Sequence, residues 1–135
     1  MEGCIFCAIV AGQTTSHPIA EGDGALAFMD LFPASEGHAL VIPKAHAENL
    51  FEIEETCVRA VAGLARRVAV AMRGVLEPDG MAVYQANGRA AGQTVFHYHV
   101  HLIPRNEGSP LTFHGRGRAD DERLAELAAA YAARL

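Results

Sequence analysis

The stretch HYHVHLIP, His97 to Pro104, puts histidine at every second position and fills the places between and after with Tyr98, Val100, Leu102 and Ile103. In an extended strand successive side chains point to opposite faces. His97, His99 and His101 therefore share one face, and Phe96, Tyr98, Val100 and Leu102 share the other. One face is built for a core and the other for chemistry. The strand is read as TVFHYHVHLIP, lying inside a sheet so that its polar face lines a cleft.

The flanking segments supply the rest of such a sheet. GALAFMD (Gly24 to Asp30) and HALVIP (His38 to Pro43) are short apolar runs separated by a segment holding the turn formers Pro33, Ser35 and Gly37, which predicts two antiparallel strands. MAVYQAN (Met81 to Asn87) reads as a further strand, joined to the histidine strand by the glycine-containing loop GRAAGQ in an antiparallel meander. Between about Ile53 and Leu76, residues Val58, Val61, Leu64, Ala65, Val68, Met72, Val75 and Leu76 recur mostly at three- and four-residue steps. This is one long amphipathic helix, with acidic residues near its start, arginines toward its end and EPDG as its stop. A last helix is expected from about Asp121 to Leu135, capped by Asp120 or Asp121 and apolar at Leu124, Leu127, Ala128, Tyr131 and Leu135. RNEGSPLTFHGRGR reads as the one loose linker.

The expected architecture is α+β: an antiparallel sheet with one long helix packed on it and a C-terminal helix. With 135 residues, half of them hydrophobic, the chain suits a single domain over 1–135, its core at about 4–105 and a C-terminal extension over 106–135. A formal net charge of −5 disfavours nucleic acid as a partner, because a phosphate backbone calls for a basic surface. No apolar run approaches the length of a membrane span, so no membrane partner is expected. MEGCIFCAIV lacks the basic start and long apolar middle of a signal peptide, so a cytoplasmic location is expected. Cys4 and Cys7 form a C-x-x-C pair and Cys57 stands apart, which does not read as a disulfide framework. A redox C-x-x-C would follow a strand and open a helix, so half a zinc site is the preferred reading of this pair.

Three same-face imidazoles can serve two chemistries. Alternate residues on a strand are about 6.8 Å apart, which makes a three-histidine zinc site along one strand awkward. A second strand must then contribute, and His38 is available. Without a metal, a neutral imidazole is a good nucleophile toward phosphorus near neutral pH. Gly92, Gln93 and Thr94 just before the strand would offer backbone N–H groups and a hydroxyl to the same anion.

GQTVFHYHVHLIPR resembles the signature of the histidine triad (HIT) family, and CIFCAIVAG, AFMD and GHALVIPKAH accompany it in matching order, over about Cys4 to Arg105. The resemblance implies a homodimer whose sheets join side by side, binding a purine nucleotide and acting at its α-phosphate as a hydrolase or transferase. Carried over by position, His99 would be the nucleophile that forms a nucleotidyl-histidine. His101 would organise the phosphate site, with His38 supporting the triad through hydrogen bonds. Asn87, Gly92 and Thr94 match phosphate-side contacts. Asp30 matches the acidic residue that holds the ribose hydroxyls, and Ile5, Phe6, Ile9, Phe28 and Leu31 match the apolar walls around the base.

Family members with the N-terminal C-x-x-C imply a structural zinc held here by Cys4, Cys7, His46 and His97, with no cofactor needed for the chemistry. His101, where the transferase and phosphorylase branches tend to carry Gln, favours hydrolysis of a nucleoside phosphoramidate or a dinucleoside polyphosphate. A zinc-stabilised nucleotide-binding or adaptor protein with little turnover is the alternative. His17 and His114 receive no role from the resemblance.

Overall fold

In a computed structural model, residues 1–115 and 117–135 are described. The elements run α1 (Ile5–Val10), β1 (Pro18–Gly22), β2 (Ala25–Met29), β3 (Ala39–Pro43), α2 (Glu55–Leu76), β4 (Gly80–Tyr84), a 3₁₀ turn (Arg89–Ala91), β5 (Val100–Arg105) and α3 (Asp121–Ala132). The five strands form one antiparallel sheet in the order β1-β2-β3-β5-β4. The strand carrying the histidines thus lies inside the sheet, and the α2 connection takes β4 to its edge.

Both central strands, ALAFM and ALVIP, are buried along their whole length. They read as continuous apolar runs because each face of the sheet is covered there. Ala25, Ala27, Met29, Ala39 and Val41 point to the helical layer, where Val61, Leu64, Val68 and Met72 of α2 and Leu124, Leu127 and Tyr131 of α3 complete the main core. Leu26, Phe28, Leu40 and Ile42 point the other way and meet Phe6 of α1. The two-residue period of the strands therefore divides the molecule into a core face and a face on which α1 lies.

Helix ends have local causes. Cys4 Sγ accepts the Cys7 N–H at 3.3 Å to cap α1, and Asp120 accepts the Arg123 N–H to cap α3. Helix α2 begins at Glu55, two residues later than the apolar period suggests, because Ile53 N–H is taken by the Asn49 carbonyl in the preceding turn.

Several expectations are corrected. The ladder of the histidine strand is confined to Val100–Arg105, and residues 94–99 lie outside it. Pairing with β3 stops at Val41 opposite Val100, near Pro43, which has no N–H to donate, and Tyr98 N–H turns instead to the Ala47 carbonyl at 2.7 Å. Phe96 consequently leaves the core face and is 36% exposed. Strand β4 stops at Tyr84, before Gln85 and Asn87 pair through their side-chain amides. Helix α1, strand β1 and the 3₁₀ turn carried too short a pattern to be foreseen. Nor is the segment after Arg105 loose along its length. Arg105 donates to the carbonyls of Pro110 and Thr112, and Ala119 N–H donates to the Leu31 carbonyl.

The turn between β2 and β3 is tightly specified at Gly37, whose φ is +97°. A Cβ there would stand 2.4 Å from Leu76 Cδ1 and 2.5 Å from the Tyr131 hydroxyl oxygen, which donates to the Gly37 carbonyl. Gly37→Ala is expected to destabilise the fold by about 2–4 kcal/mol, from left-handed backbone and overpacking together. Urea unfolding at constant m-value measures it, and a loss below about 1 kcal/mol contradicts this packing.

Candidate active site

The hydrogen-bond partners of the histidines fix their tautomers, because each chain of contacts begins at a backbone group that can only donate or only accept. Ala34 N–H donates to His38 Nδ1 at 3.0 Å, so the ring hydrogen of His38 is on Nε2. That Nε2–H donates to His101 Nδ1 at 2.9 Å and also lies 3.4 Å from Asp30 Oδ2. His101 in turn carries its hydrogen on Nε2. His99 Nδ1–H donates to the His97 carbonyl at 2.7 Å, which leaves His99 Nε2 with a free lone pair. Burial pushes His99 below the ordinary imidazole range, and holds His38 at about 3 and His101 at about 2. All three rings are neutral at neutral pH. Although Asp30, His38 and His101 lie close enough together to suggest a metal site, the protonated Nε2 of His38 cannot be a ligand.

The rings of His99 and His101 border a cavity of about 270 Å³, with His38 behind them. Ile5, Phe6 and Ile9 of α1, Phe28 of β2 and Leu31 form its apolar side, and His99, His101, Asp30 and Thr94 supply polar groups. Phe6 sets its edge against His99 with ring centroids 5.1 Å apart, and against Phe28 at 5.5 Å. Asp30 Oδ1 accepts the Phe32 N–H at 2.8 Å. Burial raises the Asp30 carboxyl to about 6, against the lowering effects of that hydrogen bond and of His114.

A second cluster lies at the start of α1. Cys4, Cys7, His46 and His97 each turn one ligand atom to the others, all within 4.8 Å. His97 Nε2–H donates to the Pro43 carbonyl at 2.8 Å, so its Nδ1 faces the cluster as a lone pair. It stands 3.4 Å from Cys4 Sγ, 3.5 Å from Cys7 Sγ and 3.2 Å from His46 Nδ1, with Cys7 Sγ 3.3 Å from His46 Nδ1. Zinc bonds of about 2.3 Å to sulfur and 2.0–2.1 Å to nitrogen give tetrahedral edges of about 3.6 Å for S···N and about 3.3 Å for N···N. The donor set and its spacing fit a closed tetrahedral zinc site.

Not every anticipated residue reaches the cavity. Asn87 accepts the Leu50 N–H at 2.8 Å and exchanges bonds with Gln85, so its side chain is occupied in the loop. Gln93 is buried, accepting Gly88 N–H and donating to the carbonyls of Glu48 and Val95. It shapes the loop before Thr94 and leaves only backbone groups for a ligand. Gly92, with φ +96°, turns that loop. Conversely, Ser16, Val95, His114 and Gly115 line the cavity unforeseen. Tyr84 was also missed, although it stacks on His101 at 4.2 Å and 6° between planes. Strand pairing across β4 and β5, Tyr84 opposite His101, is what brings it there.

Known proteins share this arrangement. The chain is 39% identical to the Hit protein of Bacillus subtilis over 138 aligned positions, covering 99% of this chain and 95% of that one. A histidine triad nucleotide-binding protein from Sulfolobus tokodaii superposes with a TM-score of 0.88 at 32% identity, covering 97% and 91% of the two chains. A zinc-bound histidine triad protein from Mycobacterium smegmatis does so with a TM-score of 0.85 at 38% identity, covering 97% and 94%. The HIT domain model matches residues 11–108, which hold the sites described above except Ile5, Phe6 and Ile9 of the apolar wall, the two cysteines, and His114 and Gly115. The HIT domain match and the likeness to the Bacillus subtilis protein along nearly the whole of both chains place this chain in the histidine triad family.

Proposed function

We propose that this chain hydrolyses purine nucleotides at the α-phosphate, through a nucleotidyl group carried on His99. The observation that carries this reading is the His99 Nδ1–H bond to the His97 carbonyl, which leaves Nε2 basic on a ring bordering the cavity. In the first step Nε2 bonds to the α-phosphorus. The bond from phosphorus to the leaving nitrogen or oxygen breaks, and its electron pair departs with the leaving atom. His101 Nε2–H donates a hydrogen bond to that atom, which takes its proton from solvent. In the second step water bonds to phosphorus, the N–P bond breaks, its pair returns to Nε2 and the water proton goes to solvent. Ala34 N–H, His38 and His101 form a chain of donors that keeps the last hydrogen directed away from the fold. Backbone groups at Gly92 and Gln93 and the Thr94 hydroxyl stand on the phosphate side. Asn87 acts there only through the loop it holds.

Asp30 is the ribose ligand in this reading, with Ile5, Phe6, Ile9, Phe28 and Leu31 around the base. Ribose hydroxyls donate to the ionised carboxylate, and burial has raised the Asp30 pKa from 3.8 to about 6. Nucleotide affinity is therefore expected to fall as pH drops through about 6, because the protonated acid has lost an acceptor. In the unliganded fold the sign is opposite: the contribution of Asp30 to stability is complete below about 4 and lost as pH rises through about 6. Calorimetric titration of adenosine, which has no phosphate to titrate near pH 6, between pH 4.5 and 7.5 measures the binding effect. Asp30→Asn removes it, and a wild-type profile as flat as that of the variant contradicts the assignment.

Cys4, Cys7, His46 and His97 are the residues that would hold zinc. Held there, the ion would supply a cross-link, and these four residues would staple the start of α1 to the segments after β3 and before β5. Phe6 lies between the two cysteines in the chain and leans on His99, so the staple would also set one wall of the cavity.

A further inference from the structure

The segment between β5 and α3 crosses the mouth of the cavity, and two contacts decide where. At one end the Arg105 guanidinium donates to the carbonyls of Pro110 and Thr112 and stands 5.6 Å from the Phe113 ring centroid. At the other, Gly115 passes so close to the β2–β3 turn that a Cβ would lie 1.9 Å from the Pro33 carbonyl oxygen. Any larger residue would lift the strap away. Between these points His114 hangs at the solvent-exposed lip. Its Nε2 lies 3.3 Å from the Tyr84 hydroxyl, its ring centroid is 6.0 Å from that of His101, and a Cβ on Gly92 would stand 4.0 Å from it. His114 thus bridges the loop on the phosphate side and the histidine that faces the leaving group.

Among the described residues lining the cavity there is no lysine or arginine. The carboxylate of Asp30 lines the same cavity. A neutral amine leaving group has no need of a further hydrogen-bond donor. A polyphosphate leaving group does, since the electron pair released when the α-phosphorus to bridging-oxygen bond breaks adds negative charge to an already anionic chain.

We propose that His114 is the leaving-group residue of this site, contacting phosphates beyond the α-phosphate and directing the enzyme toward nucleotides with an anionic, phosphate-containing leaving group. The inference rests on the hydrolase reading above. It makes the strap from Arg105 to Gly115 part of the substrate site.

The test compares kcat/KM for diadenosine tetraphosphate and for adenosine 5′-phosphoramidate in the wild type, His114→Ala and His114→Lys. The ratio of polyphosphate to phosphoramidate rates is expected to fall by about tenfold or more in the alanine variant, as for loss of one hydrogen bond to an anionic phosphate oxygen. Lysine is expected to restore it to within about threefold. An alanine variant with the wild-type ratio, or one in which both rates fall together, overturns the proposal. Should the wild type turn over neither substrate, the hydrolase reading fails, and affinities decide the remainder. His114 then keeps its role if the alanine variant loses preference for ADP over AMP, and loses it if that preference is unchanged.

Discussion

Replacing His99 by alanine is expected to remove turnover, with kcat falling by about four to six orders of magnitude, the range seen when a nucleophile that acts as part of a catalytic unit is deleted. The structure explains why no neighbour can substitute. His97 points its free nitrogen into the cysteine cluster, and His101 has its Nδ1 occupied by the His38 hydrogen, leaving only a donor toward the cavity. Of the three alternating histidines, His99 alone combines a free lone pair with a place on the cavity wall. The measurement is rapid quench with a nucleotide labelled at the α-phosphate. Wild type forms an acid-labile, base-stable adduct before steady state, whereas His99→Ala forms none. An alanine variant that keeps more than about 1% of the rate shows that the phosphorus is attacked by something else. Because His99 also packs against Phe6, the asparagine variant, which retains most of the ring volume, separates lost chemistry from lost packing.

Cys4→Ser is expected to release the metal and cost on the order of 3–5 kcal/mol of stability, a fall of about 10–20 °C in Tm for a chain of this size. A metal held by this cluster would stabilise the folded state, because the four candidate ligands come from three places in the chain, Cys4 and Cys7, His46, and His97, which are gathered only on folding. Serine removes the thiolate and also the sulfur that caps α1. The effect should therefore reach the cavity: α1 has six residues, too few to hold itself together, and it carries Ile5, Phe6 and Ile9. Nucleotide affinity is expected to drop along with Tm, and chelation of the wild type is expected to reproduce both. The metal claim fails if elemental analysis of protein purified without chelator finds no zinc and the serine variant melts with the wild type.

Much of this was legible along the chain. The long period of α2 and the capped C-terminal helix depend on spacing that any reader can count, as do the apolar runs of β2 and β3. So does the unequal use of the two strand faces at His101, Val100 and Leu102. Other features had no such signal. Helix α1 is a single turn and a half tied down by contacts to distant histidines. Tyr84 looked like an ordinary strand residue until its register with His101 was known. His114 stood in a segment whose composition reads as loose linker, and only Arg105 and Gly115 show that the segment is held. Asn87 and Gln93 went the other way: their types suited a phosphate, but loop carbonyls and N–H groups claim them first.

By itself the sequence determined the longer helices, the apolar inner strands and the residue types, because periodicity and turn chemistry act between neighbours a few positions apart. It thereby presented three histidines on one strand face. Only the tertiary structure decided what each can do, because the role of an imidazole depends on which nitrogen carries the hydrogen. That hydrogen is assigned by a partner elsewhere in the fold: Pro43 for His97, the backbone carbonyl two residues back for His99, and His38 for His101. Chemically equal side chains come to present a lone pair to the cysteine cluster, a lone pair to the cavity and an N–H donor, through contacts that the alternating pattern does not contain.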